Sequence, residues 1–386
     1  MKHPWSSQSF AAAARSAGRS VEIIAAAEAI AGAIKNVHPE LPVIFTLHHL
    51  AHLVDVRSED LQRVAFRQED AYRVFRVKKR GISGRHPAPV RKQRTICVPH
   101  PFLMKTQRWI AQNILNAIEP HAASFAFTPN RDLVGAAKKH VGAKWLLKMD
   151  VRNFFESISE RDVYHVFRSL GYVALLSFQM ARICTRLPDG RASGREDTHV
   201  FRDSSSLPYR PRSQGHLPQG APSSPMLANL AMLSLDRRLS GLAKAEGFVY
   251  TRYADDLAFS RRAQATRSEV YRLSKRVEAE LEFAGLKHHS QKTKISPPSA
   301  RKVLLGVLVD DSRPRLTKSF RNNIETHLYA LLSEKIGASA HQKKRGFASV
   351  IGMKRHIFGL ISFAHQVDPA YASTLYSKLN AVDWTH

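Results

Sequence analysis

Three aspartates in this 386-residue chain stand where chemistry is possible. Asp150 closes the apolar run Trp145-Leu-Leu-Lys-Met149, while Asp255 and Asp256 occupy the tip of a hairpin-like stretch, Tyr253-Ala-Asp-Asp-Leu257. Carboxylates at strand ends can meet in space although they lie far apart in the chain. Brought together, they repel one another and resist ionising unless cations neutralise them. Mg²⁺ suits such a set, because it takes oxygen ligands and completes its shell with substrate phosphates. Two such ions stabilise both the attacking and the leaving oxygen of an in-line phosphoryl transfer. An isolated Asp-Asp pair is also an ordinary polar turn, so the chemistry depends on Asp150 joining the hairpin.

The elements that must position these acids can be sketched from periodicity and punctuation. The spacing predicts strands over Tyr72–Val77 and Arg94–Val98, the second stopped by Pro99 and Pro101, with a loop over Gly81–Pro89 between them. A helix is expected over Leu103–Ile118, with Trp109, Ile110, Ile114 and Leu115 as its apolar stripe. Trp145–Asp150 reads as a short strand, and Ser159 with Asp162 three residues on reads as a capping box opening the next helix. Asp189–His216 is polar and reads as a long loop, Ser223–Ala245 as a helix and Phe248–Ser260 as the hairpin that carries the two acids. A helix over Ser268–Ala284, a strand over Val303–Val309 and a basic helical tail from Lys318 complete the sketch. Met1–Ser20, without an acid, is either a frayed start feeding a surface helix over Val21–Lys35 or a transit-type leader.

Charge narrows the partner. Lys and Arg number 59 against 32 Asp and Glu, a formal net charge of +27. No acid occurs from Ala71 to Ile118, whereas Arg73, Arg76, Lys105 and Arg108 are among the cations there, interleaved with Tyr72, Phe75, Phe102 and Trp109. A field so one-sided needs a polyanion as counterweight, and nucleic acid fits better than a membrane surface because the charges do not follow one amphipathic helix. Two cysteines, Cys97 and Cys184, exclude a disulfide framework or a zinc ribbon. With no long apolar run, a membrane span is not expected.

From Tyr72 to Val309 the chain resembles the reverse transcriptase family. The resemblance rests on six ordered pieces: Arg94-Thr-Ile-Cys-Val-Pro99; Met149-Asp-Val-Arg-Asn-Phe-Phe-Glu-Ser-Ile158; Leu217-Pro-Gln-Gly-Ala-Pro-Ser-Ser-Pro225; Tyr253-Ala-Asp-Asp256; Gly285-Leu-Lys-His-His-Ser-Gln-Lys-Thr293; and Leu304-Leu-Gly306. It implies an α+β right hand with fingers, an antiparallel-sheet palm and a helical thumb. The expected boundaries are an N-terminal helical extension over 1–58, fingers over 59–145, palm over 146–312 and a basic thumb over 313–386. It implies that Asp150, Asp255 and Asp256 hold two Mg²⁺ ions, with the Val151 carbonyl as a further ligand. Phe155 stands at the steric gate that selects dNTPs, and this argues against an RNA polymerase or a nucleotide cyclase, either of which must admit a ribose. Gln219 and Gly220 shape the nucleotide pocket, and one of Arg91, Lys92 and Arg94 reaches the triphosphate. Lys292 either protonates the leaving pyrophosphate or simply contacts a phosphate.

Within the family the resemblance is to bacterial retron-type enzymes, which are cytoplasmic. Ala137 and His140 match a pre-palm Asn-Ala-x-x-His motif in which Ala136 replaces the Asn, and Leu304-Leu305-Gly306 stands where Val-Thr-Gly is usual. Retron membership implies a structured noncoding RNA as template and primer, a branched RNA–DNA product (msDNA) and anti-phage defence with a separate effector protein. Lys318, Arg321, Lys343, Lys344, Arg345, Lys354 and Arg355 would track the RNA helix or serve as a generic primer–template grip. The alternatives are a defence-associated reverse transcriptase outside retrons, or a catalytically silent RNA-binding scaffold.

Overall fold

The computed structural model describes residues 5–78, 93–188 and 214–384. They divide into two packed units, Met1–Pro129 with Val151–Arg238 and Glu278–His288, and Asn130–Asp150 with Leu239–Val277 and His289–His386. Helices predominate and every paired strand is antiparallel, so the architecture is α+β.

The first unit opens with the helices Ser7–Ser16, Val21–Val37 and Leu47–Val54, whose first turns are capped by the side chains of Ser6, Ser20 and Thr46. Strands β1 (Tyr72–Lys78) and β2 (Gln93–Pro99) follow and pair from Tyr72↔Pro99 to Lys78↔Gln93. The helix expected over Leu103–Ile118 begins earlier, at Pro101, and its α-helical part ends at Asn113. Asn113 turns its side-chain amide back onto the Trp109 carbonyl (2.8 Å), competing with the backbone ladder, and Leu115–Ala117 closes as a 3₁₀ turn. The stripe survives the change, with Ile110, Ile114 and Leu115 all fully buried. Helix Glu160–Ser169 has the predicted capping box: Ser159 N donates to Asp162 Oδ2 (2.8 Å) and Asp162 N to Ser159 Oγ (3.2 Å). The helix expected over Ser223–Ala245 is two, Ser224–Ala231 and Leu233–Ala245, because the backbone flattens at Met232 (ψ −6°). Of the expected long loop, only 214–216 falls among the described residues, and the Gly81–Pro89 loop lies outside them.

The second unit holds a four-stranded sheet of β3 (Trp145–Asp150), β4 (Val249–Tyr253), β5 (Asp256–Arg261) and β6 (Lys294–Ser296), in the order β4-β5-β3-β6. The strand expected over Val303–Val309 is instead a tight hairpin, β7 (Val303–Leu304) and β8 (Val307–Leu308), extended by β9 (Arg315–Leu316). Leu305 and Gly306 both take positive φ (50° and 86°), the pair of left-handed residues that a two-residue hairpin turn requires. Leu146 and Ala258 of the large sheet pack with Leu304, Val307 and Val309 in one cluster. Four helices, Lys318–Leu332, Gly337–Arg345, Val350–Val367 and Pro369–Asn380, close on their own core, centred on Ile324, Leu328, Met353, Ile357, Ile361 and Leu375. No helix among the described residues is long and apolar enough to cross a membrane.

Within this unit His140, at the end of helix Leu133–Lys139, clamps the acid-bearing hairpin. Its fully buried ring places Nε2 2.7 Å from Thr251 Oγ1 on β4 and Nδ1 2.6 Å from Ser260 Oγ on β5. Either hydroxyl can donate or accept, so a neutral imidazole satisfies both contacts. Burial, helped by the nearby Arg262 charge, pushes its pKa from 6.5 down to about 4. Below 6.5 the unfolded chain takes up a proton that the folded chain refuses. Stability is therefore full above pH 6.5 and falls as the pH drops toward 4, by roughly 3 kcal/mol in total from this group. The urea midpoint of the wild type should drop over that window and that of His140→Gln should drop less; parallel curves would refute the assignment.

Candidate active site

The register of the sheet builds the site. Asp150, last in β3, sits opposite Asp256, first in β5, and Asp256 also pairs with Tyr253 across the hairpin. The two-residue turn is Ala254-Asp255, so Asp255 lies at the tip while Asp256 already belongs to the strand. Ala254 holds φ +56°, a conformation normally left to glycine; strain of this kind is retained where the surroundings over-determine it. Asp150 is 6% exposed, and its backbone carbonyl accepts from His289 N (2.7 Å).

The electrostatics follow from this crowding. Partial burial first, then the charges of Asp255 and Asp150, push the Asp256 carboxyl up to about 6, against the opposing pull of Lys148 and Lys292. Asp256 keeps solvent on its outer side, so of these causes the like-charge repulsion is the one that a cation would relieve. Lys292, on the short 3₁₀ turn Ser290–Lys292, places Nζ 2.7 Å from Asp150 Oδ1. Lys148 lies inside strand β3, apolar but for it and the final Asp150. It donates to the Val303 carbonyl (2.9 Å), and burial, with Lys294 nearby, lowers its pKa. Its signal in the sequence is a lone lysine in the run Trp145–Asp150.

Among the described residues no three His, Cys, Asp or Glu side chains converge tightly enough to grip an ion unaided. The donor set is nonetheless all carboxylate oxygen, and after burial the neighbouring charges of Asp255 and Asp150 add to the upward shift of the Asp256 carboxyl. These residues fit a hard divalent cation whose remaining ligands come from water and substrate phosphates.

The expected nucleotide-pocket residues lie in the first unit. Val151, the residue after Asp150, is buried and forms an antiparallel bridge with His288. Phe155 stands in the one-turn helix Phe154–Ser157, preceded by Asn153 at φ +51°. The Gln219 carbonyl accepts from Cys97 N (2.8 Å), which lays the Leu217–Pro225 segment on β2. Gly220 has φ +111°, and a Cβ there would sit 3.0 Å from both Cys97 O and Ile96 Cγ2. Gly220→Ala should therefore cost about 1–3 kcal/mol and raise the KM for dNTP, read from urea midpoints and primer extension. No change in either would show that the loop can back away from β2. Arg94 is exposed on β2 opposite Val77, and Lys92 and Arg91 lie outside the described residues.

Of the seven basic residues expected to grip RNA, six are exposed and Arg321 is half-buried. Arg321 pairs with Asp368 (2.8 Å) and lies over the Tyr371 ring, and Lys354 lies over Trp384. Lys343, Lys344 and Arg345 form the last turn of their helix, where cations also complement the helix dipole.

A buried ionic cluster in the first unit has no local signal in the sequence. Glu160, with no side-chain exposure, pairs with Arg67 and Arg182 (2.9 Å to Arg182 Nε) and accepts from Gly215 N (3.0 Å). Glu160 stands in the first turn of its helix, where an acid is ordinary, and its partners are remote in sequence.

Comparison with known proteins gives consistent matches. The family described as reverse transcriptase (RNA-dependent DNA polymerase) matches residues 77–309. The retron Ec86 reverse transcriptase of Escherichia coli is 29% identical over 341 residues, 88% of this chain and 94% of that protein. The retron Mx162 reverse transcriptase of Myxococcus xanthus is 31% identical over 303 residues, 76% of this chain and 59% of that longer protein. Among solved structures, a foamy viral protease-reverse transcriptase in complex with an RNA/DNA hybrid aligns with a TM-score of 0.38 and 15% identity over 81% of this chain and 30% of its own, too slight a likeness to add weight.

Proposed function

Because the chain belongs to the reverse transcriptase family and is an RNA-directed DNA polymerase, a nucleotidyltransferase, we propose that it copies a structured noncoding RNA into the branched RNA–DNA of a retron. The observation that carries the catalytic part is the register that sets Asp150 against Asp256 with Asp255 in the adjoining turn. The retron part is supported by the curated relatives, which are themselves retron reverse transcriptases.

In this reading Asp150, Asp255, Asp256 and the Val151 carbonyl would hold two Mg²⁺ ions. Bound there, such ions supply charge stabilisation to the attacking and leaving oxygens of an in-line displacement. The priming hydroxyl, a 2′-OH of the RNA at the first step, gives up its proton to solvent and forms the new O–P bond at the α-phosphate, and the bond to pyrophosphate breaks. Phe155 excludes a ribose 2′-OH on the incoming nucleotide, Gln219 and Gly220 shape its pocket, and Arg94 or Lys92 meets its triphosphate. Lys292, close to Asp150 (2.7 Å), gives its proton to the departing pyrophosphate or holds a phosphate oxygen. Residues 59–145 serve as fingers, 146–312 as palm and 313–386 as a thumb whose cations follow the RNA, after an N-terminal helical extension over 1–58. The biological role is anti-phage defence with a separate effector protein.

The test is to purify the protein from its native host and sequence the nucleic acid that comes with it, after RNase or DNase. One short DNA joined to one structured RNA, absent from the Asp255→Ala, Asp256→Ala variant, is the expected result. Heterogeneous DNA would move the protein outside retrons, and RNA alone, bound equally by the variant, would make it a scaffold.

A further inference from the structure

We propose that Phe127 is a positioning residue for sugar selection, holding the Phe155 ring in the orientation in which it excludes a ribose; the inference rests on the gate role given to Phe155 above. Phe127 is an anomaly twice over. It is a large apolar residue left 49% exposed, and its φ is +58°. Bulky side chains adopt that backbone conformation only where their surroundings impose it.

The imposing group is Asn229. Its side chain is fully buried on helix Ser224–Ala231, and it holds the residues on both sides of Phe127. Nδ2 donates to the Ala126 carbonyl (2.7 Å) and lies 3.4 Å from Thr128 Oγ1, while Oδ1 accepts from Ser124 Oγ (2.9 Å). Thr128 Oγ1 in turn lies 3.3 Å from the Ala126 carbonyl. Four buried polar groups hydrogen-bonded to one another make a rigid frame, and what that frame turns outward is one aromatic ring.

That ring faces Phe155. The two centroids are 6.2 Å apart with the planes inclined at 52°, a tilted contact within the favourable range for aromatic pairs. From another direction Phe155 meets the buried Phe154 edge-on, at 5.5 Å and 63°. A steric gate works only if its ring cannot swing aside, because one χ rotation relieves the clash that it depends on. Phe154 supplies one stop and Phe127 the second. A ring that served only to fill a core would have no reason to remain half in water.

The decisive measurement is the ratio of kcat/KM for a dNTP to that for the matching rNTP in single-nucleotide extension. Both values come from the same preparation, so the fraction of folded enzyme cancels. Phe127→Ala should lower the ratio between about twofold and tenfold, the worth of one aromatic contact, mainly through better use of the rNTP. Phe127→Leu should fall between, and Phe127→Tyr should restore the ratio. Adding Phe127→Ala to Phe155→Ala should change nothing further, as expected when one residue acts through the other. If Phe155→Ala lowers the ratio and Phe127→Ala leaves it at the wild-type value, the positioning role is overturned. If Phe155→Ala itself leaves the ratio unchanged, the gate reading has failed and the inference falls with it.

Discussion

Asp256→Asn should reduce DNA synthesis by about a thousandfold or more, because in the proposed mechanism several kcal/mol of transition-state charge stabilisation depend on the acids at this position. The same variant should melt no lower than the wild type. In the folded chain Asp256 opens β5 across from Asp150, and the charges of Asp255 and Asp150 help to push its carboxyl up to about 6. Removing one of three repelling charges relieves the native state while disabling it, the signature of groups placed for chemistry at the expense of stability. Asp150→Asn should be equally inactive for a different structural reason, since it also deprives the Lys292 ammonium of its partner at 2.7 Å. Primer extension and a thermal melt on the same preparations check both statements. Lost activity together with a sharply lowered melting temperature for Asp256→Asn would mean that the carboxylate is structural, and the site assignment would fail.

Some of this site is legible in the order of the residues alone. An apolar run ending in Asp150, and two acids between apolar strands, are local patterns, and antiparallel pairing does the rest by setting residue against residue. The capping box of Glu160–Ser169 is legible for the same reason, since both of its partners lie within one turn. What escapes is set by contacts remote in sequence or by backbone detail. Nothing near Asn229 announces that it will hold the turn at Phe127, and His140 shows its clamp on β4 and β5 only once the sheet has formed. Val303–Val309 has the composition of one strand, yet the left-handed pair Leu305-Gly306 folds it back on itself. The single helix expected from Ser223 to Ala245 shows the same limit, because periodicity continues through Met232 while the backbone does not.

Glu160→Ala should destabilise the first unit by about 3–5 kcal/mol, because it leaves charges buried without their counterion. Both guanidiniums are largely withdrawn from water, with Arg67 13% and Arg182 17% exposed, and the carboxylate between them has no exposure. Neither arginine can retreat easily. Arg67 Nη1 donates to the carbonyls of Thr185 (2.7 Å) and Arg182 (3.1 Å), and Arg182 Nη1 to that of Ala65 (3.2 Å). Two cations would thus be held face to face. The loss should also reach the proposed nucleotide pocket. Glu160 accepts from Gly215 N (3.0 Å), the next residue, His216, exchanges two 2.9 Å backbone hydrogen bonds with Arg186, and Leu217 N donates to Ile158 O (3.1 Å). Gln219 and Gly220 hang from that anchored segment, so a loosened anchor should raise the KM for dNTP in the fraction that still folds. Glu160→Gln, which keeps the volume and one acceptor oxygen, should lose less stability and less affinity. Urea midpoints for the two variants, set beside their KM values, separate the effects. A loss below about 1 kcal/mol for the alanine variant would place the cluster among weak, solvent-screened ion pairs, and the anchoring role would go with it.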